Sequence, residues 1–220
     1  MMGILKRALR AMDVQGAGMP RRGAMLAAAV LLAGCSVTTP PERFYSLSAG
    51  GEGGPVRAAP PAGAAPLYIE VQAVSVPQQV SRNQMVVISG AGRVDLLEQQ
   101  RWAAPLASEI GQALSLRLSA ELGAIDVYRT PVPEQAAVYR VSTNVQRFES
   151  APGHYALVDA VWSVRKVGSN TVQTCRTVAE EKVGEGYDAL VAGHRRAIDR
   201  LAADIAQAIR ASPAATPRCP

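Results

Sequence analysis

The stretch Val138-Tyr139-Arg140-Val141-Ser142-Thr143-Asn144-Val145-Gln146-Arg147-Phe148-Glu149 decides the fold class, together with the two runs after it. It predicts a long strand with Tyr139, Val141 and Val145 on one face. Pro152-Gly153 reads as a turn. Tyr155 to Val167 then returns with Val158, Ala160, Trp162 and Val164 on one face. Gly168-Ser169-Asn170 is a second tight turn, and Thr171 to Val183 is the next strand. Alternating apolar residues between Gly- and Pro-containing turns mark consecutive antiparallel strands, so these three runs predict a meander.

Working outward, Tyr187 to about Arg210 predicts a helix. Leu190, Val191, His194, Ile198, Leu201, Ile205 and Ile209 recur at helical spacing and form one apolar stripe. On the other side of the meander, Trp102, Leu106, Ile110, Leu114, Leu118 and Leu122 predict a helix from about Ala103 to Leu122. Pro105 suits its first turn and Gly123 its end. Gly111 inside it costs about 1 kcal/mol against alanine, which a close helix-to-sheet contact would explain. Earlier still, Leu67, Ile69 and Val71 alternate as a half-buried strand, and Gln84 to Ile88 is another, closed by a Ser89-Gly90-Ala91-Gly92 turn. Helices with one apolar stripe each bury it against a single layer. The expected fold is therefore α+β: a two-layer sandwich of one mostly antiparallel sheet with two long helices on one face. The opposite sheet face then carries Leu157 and Val161, more apolar than a free face usually is, and becomes a candidate contact surface.

The amino-terminal third reads differently. Arg21-Arg22, an uncharged run from Gly23 to Ala33, and Leu32-Ala33-Gly34-Cys35 have the layout of a secretory signal. A cysteine directly after the cleavage point makes it a bacterial lipobox, with Cys35 as the lipidation site. The apolar run is too short to span a bilayer, which needs about 20 residues. Met19 is an alternative start to Met1. Ser36, rather than aspartate, after the cysteine points to the outer membrane. Residues 48–66 are rich in Gly and Pro and predict a linker. The expected organisation is a signal peptide at 1–34, a lipidated segment with a short strand and Gly/Pro-rich loop at 35–66, a main domain at 67–211 and a loose tail at 212–220.

The formal charge of +5 is carried largely by the leader, where Lys6, Arg7, Arg10, Arg21 and Arg22 face only Asp13. The chain beyond Cys35 has no basic stripe for nucleic acid to track. Chemistry is sparse too. His154 and His194 stand alone, no Gly-x-Ser-x-Gly or phosphate-loop pattern occurs, and Gly90-Ala91-Gly92 lacks the third glycine of a dinucleotide loop. The sequence predicts no enzyme, no metal and no cofactor. Cys175 and Cys219 form an even pair in an oxidising compartment and are a candidate disulfide.

Residues 80–106 become specific. Val80-Ser81-Arg82-Asn83-Gln84-Met85-Val86, Arg93-Val94-Asp95-Leu96 and Arg101-Trp102-Ala103-Ala104-Pro105-Leu106 come in that order, after an early Phe44-Tyr45-Ser46-Leu47. This set resembles the ABC-type transport auxiliary lipoproteins, the family of paraquat-inducible protein C. Ala104 replaces the family's usual glutamate. The resemblance implies a non-catalytic lipoprotein on the periplasmic face of the outer membrane, working with a mammalian-cell-entry (MCE) protein in lipid transport. It also implies a homo-oligomeric ring, and partner contacts at Arg82, Gln84 and Trp102. A structural or assembly lipoprotein of the envelope, with no transporter, is the alternative.

Overall fold

The computed structural model describes residues 40–49, 66–212 and 219–220. The chain divides into Met1–Pro40 and Pro41–Pro220, and the described architecture is that of the second unit. Cys35 and most of the Gly/Pro-rich segment lie outside the described residues.

The meander is present as β6 (Val138–Ala151), β7 (Tyr155–Lys166) and β8 (Gln173–Lys182), paired antiparallel in that order. Gly153 and Gly168 take positive φ in the two turns, a conformation that costs glycine nothing. The sheet does not end there. β2 (Tyr68–Val71) joins the far side of β6, and β5 (Ile125–Asp126) joins β2, both in parallel register. The order is β5-β2-β6-β7-β8, a mixed sheet of five strands.

A second, smaller sheet packs beside it. β3 (Gln84–Gly90) and β4 (Arg93–Trp102) form an antiparallel hairpin, and β1 (Arg43–Tyr45) pairs in parallel with the end of β4. This overturns the expected single, mostly antiparallel sheet with two helices on one face. There are two sheets, of three and five strands, with two long helices. The physical reason lies in β4. Its first four residues are exposed and only Trp102 is buried, so it lacks the half-buried alternation that marks a strand. Its partner β1 is also distant in sequence, with Phe44 opposite Arg101.

Helix α1 (Leu106–Leu122) starts after Pro105, which caps it with extended backbone and is not part of its first turn. Gly123 ends it in the left-handed conformation. Helix α2 (Tyr187–Ala211) packs on β7, β8 and α1. The core joins Ile110, Leu114 and Leu118 of α1 with Ile198, Leu201 and Ile205 of α2, against Val158, Ala160 and Trp162 of β7. Trp162 donates through Nε1 to Thr177 at 3.0 Å, and Thr177 donates to Asp204 of α2 at 2.7 Å. The buried indole N–H is thus satisfied by a chain that ties helix to sheet.

The close helix-to-sheet approach occurs at Gly193 of α2 and not at Gly111. A Cβ at Gly193 would collide with Val183 and lie 3.0 Å from that of Ala156. At Gly111 the nearest neighbour, Val74, would be 3.6 Å away, an ordinary contact. The structure joins Cys175 of β8 to Cys219 by a disulfide, with Cα atoms 5.6 Å apart.

Candidate functional site

The segments singled out in the sequence meet in the small sheet. Trp102 donates its backbone N–H to Asn83 O at 2.7 Å, and Ala103 donates to Tyr45 O at 2.8 Å. Gln84 stands opposite Arg101 in the register. Phe44-Tyr45-Ser46-Leu47, Arg82 to Val86 and Arg101 to Leu106 therefore form one continuous junction.

The junction is locked to both helices. Glu109, on the first turn of α1 and 3% exposed, accepts hydrogen bonds from Leu47 N at 2.8 Å and Ser46 Oγ at 2.9 Å. Arg195 of α2 donates through Nη2 to Ser46 O at 2.6 Å. Burial lowers the Arg195 guanidinium, with Arg117 acting in the same direction. Leu47 is fully buried between these clamps. The clamp was not legible beforehand, because Glu109 is one of many acidic residues in helical positions.

Arg82 is exposed at a bend, and Gln84 is partly buried with its amide 3.5 Å from Glu98. Trp102 is a core residue, 3% exposed, edge-on to Phe148 and His194. Its ring is needed to close the small sheet onto the large one, so it offers no surface to a partner. His194 is wholly buried, stacked 4.0 Å from Phe148, and bonded through Nε2 to Ser150 Oγ at 2.8 Å. Burial pushes its imidazole down to about 3.

Leu157 and Val161 lie on the other face of the five-stranded sheet. That face is less open than its sequence suggests, since Leu157 is 3% exposed. Cross-strand neighbours of Leu157 are Glu149 and Glu180, and Glu149 belongs to a charged lattice. Arg176 forks onto Asp159 at 2.8 and 2.6 Å, Arg147 pairs with Glu149 at 2.7 Å, and Tyr155 donates to Glu149 at 3.0 Å. The hydrogen bond from Arg176 holds the Asp159 carboxyl below its ordinary range, while burial raises the Tyr155 hydroxyl. Long charged side chains cover apolar surface with their stems, which a strand-by-strand reading cannot anticipate. Val161 is partly buried.

A groove of about 350 Å³ opens where the two sheets approach each other. Gln146 to Ser150 of β6 line one side, and Val86, Ile88, Arg93 and Val94 of the hairpin, with Gln79, line the rest. A register shift between Val145 and Arg147 marks a β-bulge beside it. The signal for the bulge is in the sequence, where the apolar spacing shifts from Val141–Val145 to Val145–Phe148. Among the described residues no cluster of three or more His, Cys, Asp or Glu could hold a metal ion. No described helix is long and apolar enough to cross a membrane.

Comparison with solved structures finds the same fold in a protein of unassigned function. It has 20% identity and a TM-score of 0.58, over 77% of this chain and 99% of that one. A protein from Xanthomonas campestris matches at 15% identity and a TM-score of 0.48, over 64% of this chain and 80% of its own. A search of curated proteins finds no match. The family model for the ABC-type transport auxiliary lipoprotein component matches residues 45–206. That span runs from the clamped Tyr45-Ser46-Leu47 through both sheets into α2, and this chain belongs to the ABC-type transport auxiliary lipoprotein family.

Proposed function

We propose that this protein is a lipid-anchored, non-catalytic subunit of an MCE-type lipid transport system. Cys35 carries the anchor, and the folded unit sits on the periplasmic face of the outer membrane. It binds the MCE partner and supports outer-membrane integrity, with Arg82, Gln84 and Val161 as contacts and a homo-oligomeric ring as the working form.

The observation that carries this reading is the use of the family-typical residues. They join the segment nearest Cys35 to the folded unit, through the pairing of β1 with β4 and the Glu109 and Arg195 clamps. A subunit that holds a partner at a membrane needs a firm attachment at that point. The structural-lipoprotein alternative shares the anchor but not the partner.

Affinity capture of the full-length protein from detergent-solubilised envelope, read by mass spectrometry, separates the two. Stoichiometric recovery of an MCE-domain protein is expected. Recovery of envelope assembly factors with no MCE-domain protein would overturn the proposal.

A further inference from the structure

We propose that the pole of the folded unit around Phe44 rests on the phospholipid bilayer that holds the anchor, with the Phe44 ring in the interface and the Arg43 guanidinium at the level of the lipid phosphates. The inference rests on the reading of Cys35 as the anchor, but not on the identity of the transporter.

The argument begins with β1. Around it the chain turns Tyr45 and Leu47 to the core, and Leu47 is fully buried. Phe44 lies between them in the alternation, on the other side, and is 62% exposed. It is the one exposed aromatic residue among those described, since Trp102, Phe148 and Trp162 are buried and the tyrosines partly so. A single exposed apolar side chain is ordinary on a protein surface and carries nothing alone. Its surroundings carry more. Phe44 borders an open depression of about 540 Å³, lined also by Arg43, Ala49, Asp188 and Arg195. Arg43 is exposed and meets no carboxylate within ion-pair distance among the described residues, whereas its neighbour Glu42 pairs with Arg101 at 3.1 Å. An aromatic ring beside a guanidinium suits a membrane interface, where rings sit at head-group level and cations meet phosphate.

Chain length says what this pole faces. From Cys35 to Arg43 the chain advances eight residues and spans at most about 29 Å. A folded unit of this length is roughly 40 Å across. The tether is therefore shorter than the unit is wide, and the pole it keeps near the bilayer is the one that carries Arg43 and Phe44. A short tether also raises the local concentration of lipid surface, so a contact too weak to hold a free protein suffices for an anchored one. Charge agrees with this occupant. Arg43 and Arg195 outnumber Asp188 around the depression, which suits head groups that carry a phosphate, alone or with an ammonium. Arg195 is held in place there by its bond to Ser46 O at 2.6 Å.

The test uses the full-length, acylated protein in vesicles of phosphatidylethanolamine and phosphatidylglycerol, with or without bromine on the acyl chains near the head group. Bromine quenches tryptophan only at contact range. The native Trp102 and Trp162 are 3% and 1% exposed and give a low background. Phe44→Trp is compared with Val172→Trp, at a residue 50% exposed beside the β7–β8 turn. Flotation and circular dichroism are recorded for both. Brominated lipid is expected to remove about half of the added emission at position 44 and almost none at position 172. Arg43→Glu, placed in the Phe44→Trp protein, should reduce that quenching about twofold or more. If Phe44→Trp fails to fold, p-benzoylphenylalanine at Phe44, read by cross-links to lipid, replaces it. Equal quenching at the two positions would overturn the contact. So would a position 44 shielded from water yet untouched by brominated lipid, since a second copy or a protein partner then covers it. Protein that floats without quenching at position 44 refutes the contact and leaves the anchor standing. Protein that fails to float refutes the anchor and the contact with it, so the two readings fail distinguishably.

Discussion

His194 joins no charged group, and its effect on the protein is thermodynamic. The folded state holds the imidazole neutral down to about pH 3. The unfolded chain takes up the proton near the ordinary value of about 6.5. A base whose folded pKa is depressed contributes its full share of stability above the unfolded pKa and loses it as pH falls toward the folded one. Between pH 6.5 and pH 5 this costs about 2 kcal/mol. Urea unfolding at pH 7 and pH 5 should show that loss, and His194→Gln should flatten it even if the variant is less stable at pH 7. An unchanged slope would mean that the ring is hydrated. Glu109 acts through two hydrogen bonds to the segment Ser46–Leu47. Glu109→Ala leaves the buried Leu47 N–H without its acceptor, at a cost of about 1–3 kcal/mol. Limited proteolysis should then cut near Leu47 before any other described segment, and cutting that starts elsewhere would show that β1 holds without the clamp. The sequence reads the histidine as a core or boundary residue because it falls on an apolar stripe, and its burial decides for the core. Glu109 was not, since its partners lie more than sixty residues away.

At the scale of elements, the two interior helix glycines make opposite predictions. Gly111→Ala should stabilise α1 by up to about 1 kcal/mol, because alanine is the better helix former and the added methyl meets Val74 at 3.6 Å. Gly193→Ala should destabilise by about 1–3 kcal/mol despite the same propensity gain, because α2 lies too close to Val183 and Ala156 for a methyl group. Thermal unfolding of the two variants side by side checks both signs. Helix spacing showed where each glycine falls, but only packing shows which one touches the sheet. The disulfide belongs to this scale as well. It closes a loop with a sequence separation of 44, which restricts the unfolded chain by about 4 kcal/mol. Denaturing, non-reducing thiol titration of exported protein should therefore find no free thiol at Cys175 or Cys219. Cys175→Ser should lower the unfolding free energy, and two free thiols in the unmodified protein would remove the basis for that loss.

For the whole molecule, attachment and position are the testable properties. Cys35→Ala should abolish metabolic labelling with an acyl probe and leave a longer form that keeps its leader. Membrane fractionation of the unmodified protein should recover it with the outer membrane, since Ser36 lacks the charge that favours inner-membrane retention. Labelling that survives Cys35→Ala, or recovery in the inner membrane, would move the anchor or the address. The sequence by itself determined the elements whose signal is local. The meander, both long helices and the end of α1 at Gly123 come from alternation, helical spacing and turn residues, which need no partner to be read. The family was legible for the same reason, as an ordered set of short motifs. What only the tertiary structure decided is how strands pair across distance. β1 leaves the main sheet for β4, β2 runs parallel to both of its neighbours, and Leu157 is buried. The groove arises where β2 turns away from β6. Strand pairing is chosen by contacts among residues far apart in the chain, and an exposed strand such as β4 carries too little burial to declare its partner beforehand.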